Sequence, residues 1–235
     1  MSSSPARRTL GPSPDLVIFD VDGTLQDTCR WFPTVVRRGL AQFALANGLH
    51  IAVPTDAQAC AVIGKRDAEV WAPFLAEADK HRWAELRATV IPLECEELRS
   101  GVDYLFPGVR ATLSELRSLG VKTALASNCR RQYFQAVREG LGLGYLTDWQ
   151  FCLDSEGVAS KTDMLSAAMA AAGTRAAVMV GDRESDQEAA RAHGLPFVWR
   201  PTPFCQLEGV DAVWGGDPRE LLGILGLSDP AARTD

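Results

Sequence analysis

The sequence has little of the residues that would identify several common classes of protein. Its 235 residues include three histidines, and its six cysteines show no CxxC spacing, so no zinc site is indicated. Lysine and arginine number 24 against 30 aspartates and glutamates, and the net charge of −6 disfavours a general nucleic-acid binder. No apolar run is long enough to span a membrane. We therefore expect neither a nucleic acid nor a membrane as a partner.

The cysteines and the chain termini bear on the cellular compartment. Scattered cysteines in a chain of this length favour reduced thiols over a disulfide framework. The opening segment MSSSPARRTLGPSP lacks the apolar stretch of a signal peptide, and we expect residues 1–14 and 229–235 to form flexible tails. These features favour a cytoplasmic protein, and they leave the oligomeric state open.

The apolar pattern predicts an α/β fold. Five short runs of consecutive apolar residues are typical of strands buried on both faces of a parallel sheet. They are DLVIFD (15–20), VKTALAS (121–127), AAVMVGD (176–182), PFVWR (196–200) and DAVWG (211–215). Helical patterns at 108–120, 161–173 and 185–194 alternate with these runs, which predicts a doubly wound parallel sheet with right-handed crossovers.

One long segment interrupts this alternation. Residues 29–103 have helical patterns and no convincing strand. We therefore predict a core formed by residues 15–28 and 104–228, with 29–103 inserted as a helical cap. The connections between the two would lie near 26–30 and 102–107.

Polar side chains follow several of the predicted strands. In an open parallel sheet, groups at the carboxyl ends of the strands meet at one edge, where ligands bind. The candidates are Asp20, Asp22, Thr24, Ser127, Asn128, Lys161, Asp182 and Asp186. Carboxylates packed together repel one another unless a cation neutralises them, and an all-oxygen ligand set suits Mg²⁺. Asp186 also fits the first turn of a helix, where negative charge is favoured.

The motifs DVDGT (20–24), SN (127–128), Lys161 and GDRESD (181–186) resemble, in order and spacing, those of the haloacid dehalogenase superfamily. The resemblance covers nearly the whole chain after residue 14. The helical insert is similar to the C1 caps of phosphoglycolate phosphatase-like and β-phosphoglucomutase-like members. One departure is PTPFCQLEG (201–209), which replaces a glycine-rich turn of the phosphoglycolate type and weakens a claim to that substrate.

The resemblance also implies roles for the candidate residues. Asp20 would be the nucleophile that accepts the phosphoryl group, and Asp22 the general acid and base. Thr24, Ser127, Asn128 and Lys161 would hold the phosphoryl oxygens. Mg²⁺ would be bound by Asp20, by the backbone carbonyl of Asp22 and by Asp182, with Asp186 acting directly or through water.

The segment GKR at 64–66 lies between two helical stretches of the insert. It resembles the substrate-specificity loop of C1 caps, which makes Lys65 and Arg66 candidates for contact with the substrate. A solvated basic loop explains the same residues equally well.

The sequence thus predicts a Mg²⁺-dependent phosphatase that hydrolyses a small phosphorylated metabolite through an aspartyl-phosphate. A phosphomutase of the β-phosphoglucomutase type is the first alternative, because the same residues serve both reactions. A non-catalytic binder of a phosphorylated ligand is the second alternative.

Overall fold

Six parallel strands form one sheet in the computed structural model, which describes residues 10–227. The strands are β1 (Leu16–Phe19), β2 (Lys122–Ser127), β3 (Trp149–Cys152), β4 (Ala177–Gly181), β5 (Phe197–Trp199) and β6 (Ala212–Val213). Their order in the sheet is β3-β2-β1-β4-β5-β6. Both neighbours of β1 run parallel to it, with Ile18 beside Ala124 of β2 and Met179 of β4. The predicted fold class is confirmed.

Helices and no strand fill the chain between Thr28 and Leu98. The α-helices of this insert are α1 (Phe32–Asn47), α2 (Asp56–Cys60), α3 (Ala68–Trp71) and α4 (Trp83–Leu98). Short 3-10 helices cover Thr28–Arg30, Ala72–Phe74 and Glu77–Arg82. Pro33 lies at the start of α1, and Gly48 ends that helix in the left-handed conformation that glycine adopts readily.

The remaining helices cover the two faces of the sheet. They are α5 (Val109–Ser118), α6 (Arg131–Gly140), α7 (Leu143–Leu146), α8 (Lys161–Ala172), α9 (Glu184–Ala192) and α10 (Pro218–Ile224). Side chains alternate along β1, so Leu16 and Ile18 pack with residues of α8 and α9 on one face. Val17 and Phe19 pack on the other face, in an apolar core that continues into the insert. No helix among residues 10–227 combines the length and apolar character needed to cross a bilayer.

The sequence correctly predicts five of the six strands but misses β3. This strand lies at one edge of the sheet, and three of its four residues are only partly buried. An edge strand needs no continuous apolar run, and Gln150 interrupts the pattern in WQFC.

The two connections between core and insert lie side by side. Gln26 and Leu105 form an antiparallel bridge, the amide of Asp27 donates to the carbonyl of Tyr104 at 2.8 Å, and that of Phe106 donates to Leu25 at 2.9 Å. The positions predicted for the connections therefore form one paired ribbon.

Cys29 and Cys60 are joined by a disulfide, so the expectation of reduced thiols throughout is wrong for this pair. Their separation of 31 residues gives no sequence signal. The pairing depends on how the 3-10 helix at Thr28–Arg30 packs against α2. Cys95, Cys129, Cys152 and Cys205 are free.

Part of the predicted N-terminal tail contacts the core. The amide of Leu10 donates to the carbonyl of Ile224 at 3.0 Å, and the Ser13 hydroxyl donates to that of Gly226 at 3.1 Å. Leu10 and Ser13 therefore attach this segment to the last residue of α10 and to Gly226, which follows that helix. Residues 1–9 and the predicted tail at 229–235 lie outside the described part of the chain.

Candidate active site

The predicted site residues meet at the carboxyl ends of the three central strands. Asp20 follows β1 directly, Ser127 ends β2 and Asp182 follows β4. Lys161 is the first residue of α8, and Asp186 lies in the first turn of α9. Because β1 lies between β2 and β4, these groups come together at one edge of the sheet.

Three carboxylates form a buried cluster at this edge. Asp20, Asp182 and Asp186 each offer an oxygen, and these atoms lie within 4.8 Å of one another. Gly23 permits this packing, because a Cβ at that position would lie 2.6 Å from Oδ2 of Asp182. Its φ of +88° is also a conformation that favours glycine. The glycine of DVDGT is thus required both by the turn and by the neighbouring carboxylate.

Lys161 is the cation that balances part of this charge. Its Nζ donates to Oδ1 of Asp20 at 2.6 Å and to Oδ1 of Asp186 at 2.5 Å. Burial alone would lower the pKa of Lys161, but the carboxylates of Asp186 and Asp20 together raise it above its usual value. Lys161 therefore stays charged.

Asp186 has partners for both of its oxygens. Besides the bond from Lys161, its Oδ2 accepts hydrogen bonds from the amides of Asp182 and Arg183 at 3.1 and 3.0 Å. Asp186 thus holds the start of α9 and the lysine at the same time. Asp186 therefore lies in the first turn of α9 and beside the other two carboxylates, and its expected role as a metal ligand stays a prediction.

Two carboxylate oxygens in the cluster lack hydrogen bonds. Oδ2 of Asp20 and Oδ2 of Asp182 are buried without a donor, although Nε of Arg183 lies 3.5 Å from the latter. Burial raises the pKa of Asp20 to about 7, against the opposing effect of Lys161. Burial, with the charges of Asp20 and Asp186, also raises the pKa of Asp182 well above its ordinary value. A single lysine leaves this cluster with excess negative charge, which suits a bound cation.

Asp22 points into the same cavity but has different partners. Its Oδ1 accepts hydrogen bonds from the hydroxyls of Tyr133 at 2.6 Å and Thr28 at 2.8 Å. The Gln26 amide lies farther from it, at 3.4 Å. Burial raises the pKa of Asp22, and the two hydroxyls partly oppose that rise because they favour the ionised form.

The residues predicted to hold phosphoryl oxygens occupy three different settings. Ser127 is buried and lines the cavity beside Asp20. The Thr24 hydroxyl donates instead to Oδ1 of Asp182 at 3.2 Å, so it supports a carboxylate of the cluster. Asn128 lines the cavity, and its amide donates to the carbonyl of Gly64 at 3.4 Å and to Ser185 at 3.3 Å. Asn128 therefore links the sheet edge to the loop of the insert.

A cavity extends from Asp20 and Asp22 into the insert. Its apolar lining includes Phe32, Val62, Trp71 and Ile91, and its charged lining includes Lys65, Asp67, Arg87, Glu94 and Arg130. Arg130 is held by Asp67 of the insert and Asp154 of the core, at 2.7 and 2.9 Å. This pair of ion pairs joins the insert to the core beside the cavity.

Lys65 and Arg66 are both exposed, and both line an outer groove that also contains Lys161. Glu69, Arg183 and Glu184 line the same groove. Both residues of the loop, Lys65 and Arg66, are candidates for substrate contact from the sequence, whereas in the structure only Lys65 of the two lines the cavity of Asp20.

Sequence analysis missed several residues of the site. Tyr133 and Thr28 hold Asp22, while Arg87 and Glu94 line the cavity from α4. The position of Thr28 in the predicted connection to the insert is a weak indication that it lies near the site. The others belong to no motif.

Comparison with known proteins connects this geometry to a family. A model of the haloacid dehalogenase-like hydrolases matches residues 14–194. Tyrosine-protein kinase PtkA of Mycobacterium tuberculosis is 30% identical over 192 residues, which cover 80% of this chain and 62% of that protein. The match thus spans less than two thirds of that relative's length.

A second relative and a solved structure also match most of this chain. Phosphoglycolate phosphatase of Pseudomonas putida is 27% identical over 193 residues, covering 80% of this chain and 70% of that protein. A crystal structure described as a predicted phosphoglycolate phosphatase, from Haemophilus somnus, superposes with a TM-score of 0.74 at 17% identity. That superposition covers 94% of this chain and 99% of the other, and it supports the fold.

Proposed function

This chain belongs to the haloacid dehalogenase-like hydrolase family, and we propose that it is a Mg²⁺-dependent phosphatase that hydrolyses a small phosphomonoester through an aspartyl-phosphate on Asp20. One observation carries the proposal. Oδ1 of Asp20 accepts a hydrogen bond from Lys161, and Oδ2 of Asp20 has no hydrogen-bond donor. Asp20 and Asp22 line the same cavity. Residues 29–103 would be the cap that covers this cavity.

The donor set fits Mg²⁺. Asp20 and Asp182 each have a buried carboxylate oxygen without a hydrogen bond, whereas both oxygens of Asp186 already have donors. Asp20 and Asp182 would therefore hold the ion directly, with the backbone carbonyl of Asp22, and Asp186 would act mainly by fixing Lys161. When bound there, Mg²⁺ would supply positive charge that stabilises the transferring phosphoryl group.

The side chains can divide the reaction into two steps. A carboxylate oxygen of Asp20 attacks phosphorus, the bond from phosphorus to the ester oxygen breaks, and Asp22 gives its proton to the leaving alkoxide. A water molecule then attacks the phosphorus of the aspartyl-phosphate, Asp22 takes its proton, and Asp20 and phosphate are released. Burial suits Asp22 to this role, because it raises the pKa and so favours the protonated form that the first step requires.

Three groups would position the phosphoryl oxygens. Lys161 places a buried ammonium beside Asp20, and the hydroxyl of Ser127 and the amide of Asn128 line the same space. Such preorganised donors stabilise charge that develops during phosphoryl transfer. Thr24 would contribute indirectly, by fixing Asp182.

Transfer to a hydroxyl acceptor other than water is the second candidate function. It is favoured by the 30% identity with a protein named a tyrosine kinase. The same Asp20 would form the phosphoenzyme, and an acceptor hydroxyl would replace water in the second step. The two candidates differ in which acceptor reaches the aspartyl-phosphate.

A panel of phosphomonoesters tests the proposal. Purified protein is incubated with sugar phosphates, phosphoglycolate, nucleotides and p-nitrophenyl phosphate, and released phosphate is measured with Mg²⁺, with EDTA, and with Ca²⁺ added after EDTA. We expect release with Mg²⁺ alone, since Ca²⁺ prefers more ligands at longer distances. Labelling of a tyrosine peptide from ATP, without phosphate release from any ester, would favour the second candidate. Full turnover in EDTA would contradict the metal requirement.

A further inference from the structure

The insert places an unpaired carboxyl group in the cavity. Glu94 lies on α4, with 2% of its surface exposed, and it lines the cavity together with Asp20, Asp22 and Ser127. Within the described residues, its carboxyl group has no hydrogen bond or ion pair. Because Glu94 lines the open cavity, a ligand bound there can supply the missing partner.

No neighbouring cation forms an ion pair with the carboxyl group of Glu94 among the described residues. Burial raises its pKa to about 8, and the nearby charge of Asp22 adds to that rise. Arg87 opposes the shift from the same helix, seven residues earlier, but forms no ion pair with Glu94. The cavity therefore keeps an acidic group with a free capacity for hydrogen bonds.

The position of Glu94 determines which part of a substrate it can meet. The phosphoryl group must lie at Asp20 and Lys161, at the edge of the sheet. Glu94 belongs to α4 of the insert and lines the same cavity. The same lining includes the apolar side chains of Phe32 and Ile91, which form no hydrogen bonds with a ligand. Glu94 would thus contact the leaving group of the ester.

We propose that Glu94 binds a hydrogen-bond donor on the leaving group, so that the preferred substrate is the phosphomonoester of a hydroxyl- or amino-bearing alcohol and not of a hydroxy acid. This inference rests on the phosphatase function proposed above. A hydroxyl or an ammonium group can donate to the carboxyl oxygens of Glu94, and an ammonium group also neutralises its charge. A carboxylate at the same place would be repelled by Asp22 when that group is ionised, and above pH 8 also by Glu94, whose pKa is about 8.

Four esters of two-carbon alcohols separate these chemistries. Ethyl phosphate ends in a methyl group, 2-hydroxyethyl phosphate in a hydroxyl, 2-aminoethyl phosphate in an ammonium group, and 2-phosphoglycolate in a carboxylate. The three-carbon series extends the reach of each end group by one carbon. kcat/KM is measured for every ester with Mg²⁺ in the wild type and in Glu94→Gln, which has nearly the same shape without the charge.

In the wild type, we expect the hydroxyl or ammonium ester to be hydrolysed about 10-fold more efficiently than the methyl ester, the ratio that one well-placed hydrogen bond supplies. The order of the hydroxyl and ammonium esters identifies which donor is preferred. Glu94→Gln should lower kcat/KM for the preferred ester by about 10-fold or more and leave ethyl phosphate within about two-fold. Glu85→Gln, a matched change at an exposed position of α4, should change neither.

The outcomes separate this inference from the function on which it rests. Hydrolysis of all esters with no preference for a donor, or with equal losses in Glu94→Gln, overturns the role of Glu94 and leaves the phosphatase function standing. A preference for 2-phosphoglycolate that Glu94→Gln preserves also overturns it. If no ester is hydrolysed, both proposals fail. A thermal melt checks that each variant is folded, and Glu94→Met provides a second test if Glu94→Gln is unfolded.

Discussion

The hydroxyl of Tyr133 donates a hydrogen bond of 2.6 Å to Oδ1 of Asp22, across 111 residues of sequence. The Thr28 hydroxyl donates to the same oxygen at 2.8 Å. Both donors bind one oxygen, so the carboxyl group is held in one orientation. Tyr133 comes from α6 of the core and Thr28 from the connection to the insert. The orientation of Asp22 therefore depends on both parts of the fold.

Replacing Tyr133 with phenylalanine should lower kcat by about 10-fold, because one hydrogen bond to a charged group is lost and Asp22 is less well oriented. KM should change less than kcat, since Tyr133 holds the acid and base rather than the phosphoryl group. Steady-state kinetics on p-nitrophenyl phosphate measures both constants. Tyr145→Phe is the matched control, because Tyr145 is 85% exposed. A kcat within two-fold of wild type would contradict a positioning role for Tyr133.

Mg²⁺ should stabilise the wild type but not Asp182→Asn. At 100 times its Kd, a ligand adds about 2.7 kcal/mol to the free energy of unfolding, which corresponds to roughly 5–10 °C in Tm. Asp182→Asn removes one of the two free carboxylate oxygens, so the shift should disappear. Without metal the variant should melt no lower than wild type, because one buried charge is gone. Asp56→Asn, at an exposed position, should keep the shift. An undiminished shift in Asp182→Asn would place the ion elsewhere.

Glu94 should make the protein less stable as the pH rises. Its pKa is about 8 in the folded protein and 4.5 ordinarily, so the folded state binds more protons between these values. The free energy of unfolding therefore falls as the pH rises from about 4.5 to 8, and this loss persists above 8. Glu94→Gln removes this dependence.

The variant should thus gain Tm relative to wild type on going from pH 5 to pH 8, by roughly 2–4 °C for each kcal/mol involved. Thermal melts of both proteins across this range measure the difference, and subtracting the two curves removes the contributions of the other carboxylates. Parallel curves would show that the Glu94 carboxyl is solvated in the folded protein.

Lys65 and Arg66 should behave differently when each is replaced with alanine. Lys65 lines the cavity of Asp20 and attracts the phosphate dianion, so Lys65→Ala should raise KM by about two- to five-fold, a modest effect because the side chain is exposed. Arg66 lines the outer groove and not the cavity of Asp20, so Arg66→Ala should raise KM less than Lys65→Ala does. Each variant is the control for the other in steady-state assays. Equal effects would show that the loop acts through closure of the insert, and no effect would support a solvated loop.

The core of the site could be predicted because local patterns and one topological rule are enough to locate it. Asp20, Asp182 and Ser127 each end a run of apolar residues, and parallel strands bring their carboxyl ends to one edge of a sheet. Lys161 starts a helix after Ser160, whose side chain accepts a hydrogen bond from the amide of Asp163 as an N-cap. These features depend on neighbours in sequence, which the pattern records.

The remainder depends on packing between distant segments, which the pattern does not record. In the segment LECEEL (93–98), Glu94 is buried while Glu96 is exposed. Which glutamate faces the cavity depends on how α4 packs against the rest of the protein. The hydrogen bond between Tyr133 and Asp22 and the disulfide between Cys29 and Cys60 also depend on packing between distant segments. Thr24 lies in a recognisable motif, yet its actual partner, Asp182, is 158 residues away.

The turnover of Asp20→Asn tests the central claim most directly. The amide has nearly the same size as the carboxylate, but it cannot act as the nucleophile that forms an aspartyl-phosphate. Phosphate release is measured with Mg²⁺ on an ester that the wild type hydrolyses, and a thermal melt confirms that the variant is folded. We predict a fall in kcat of at least about 1,000-fold, as expected when a nucleophile is removed. A folded variant that keeps kcat within 10-fold of wild type would contradict covalent catalysis through Asp20.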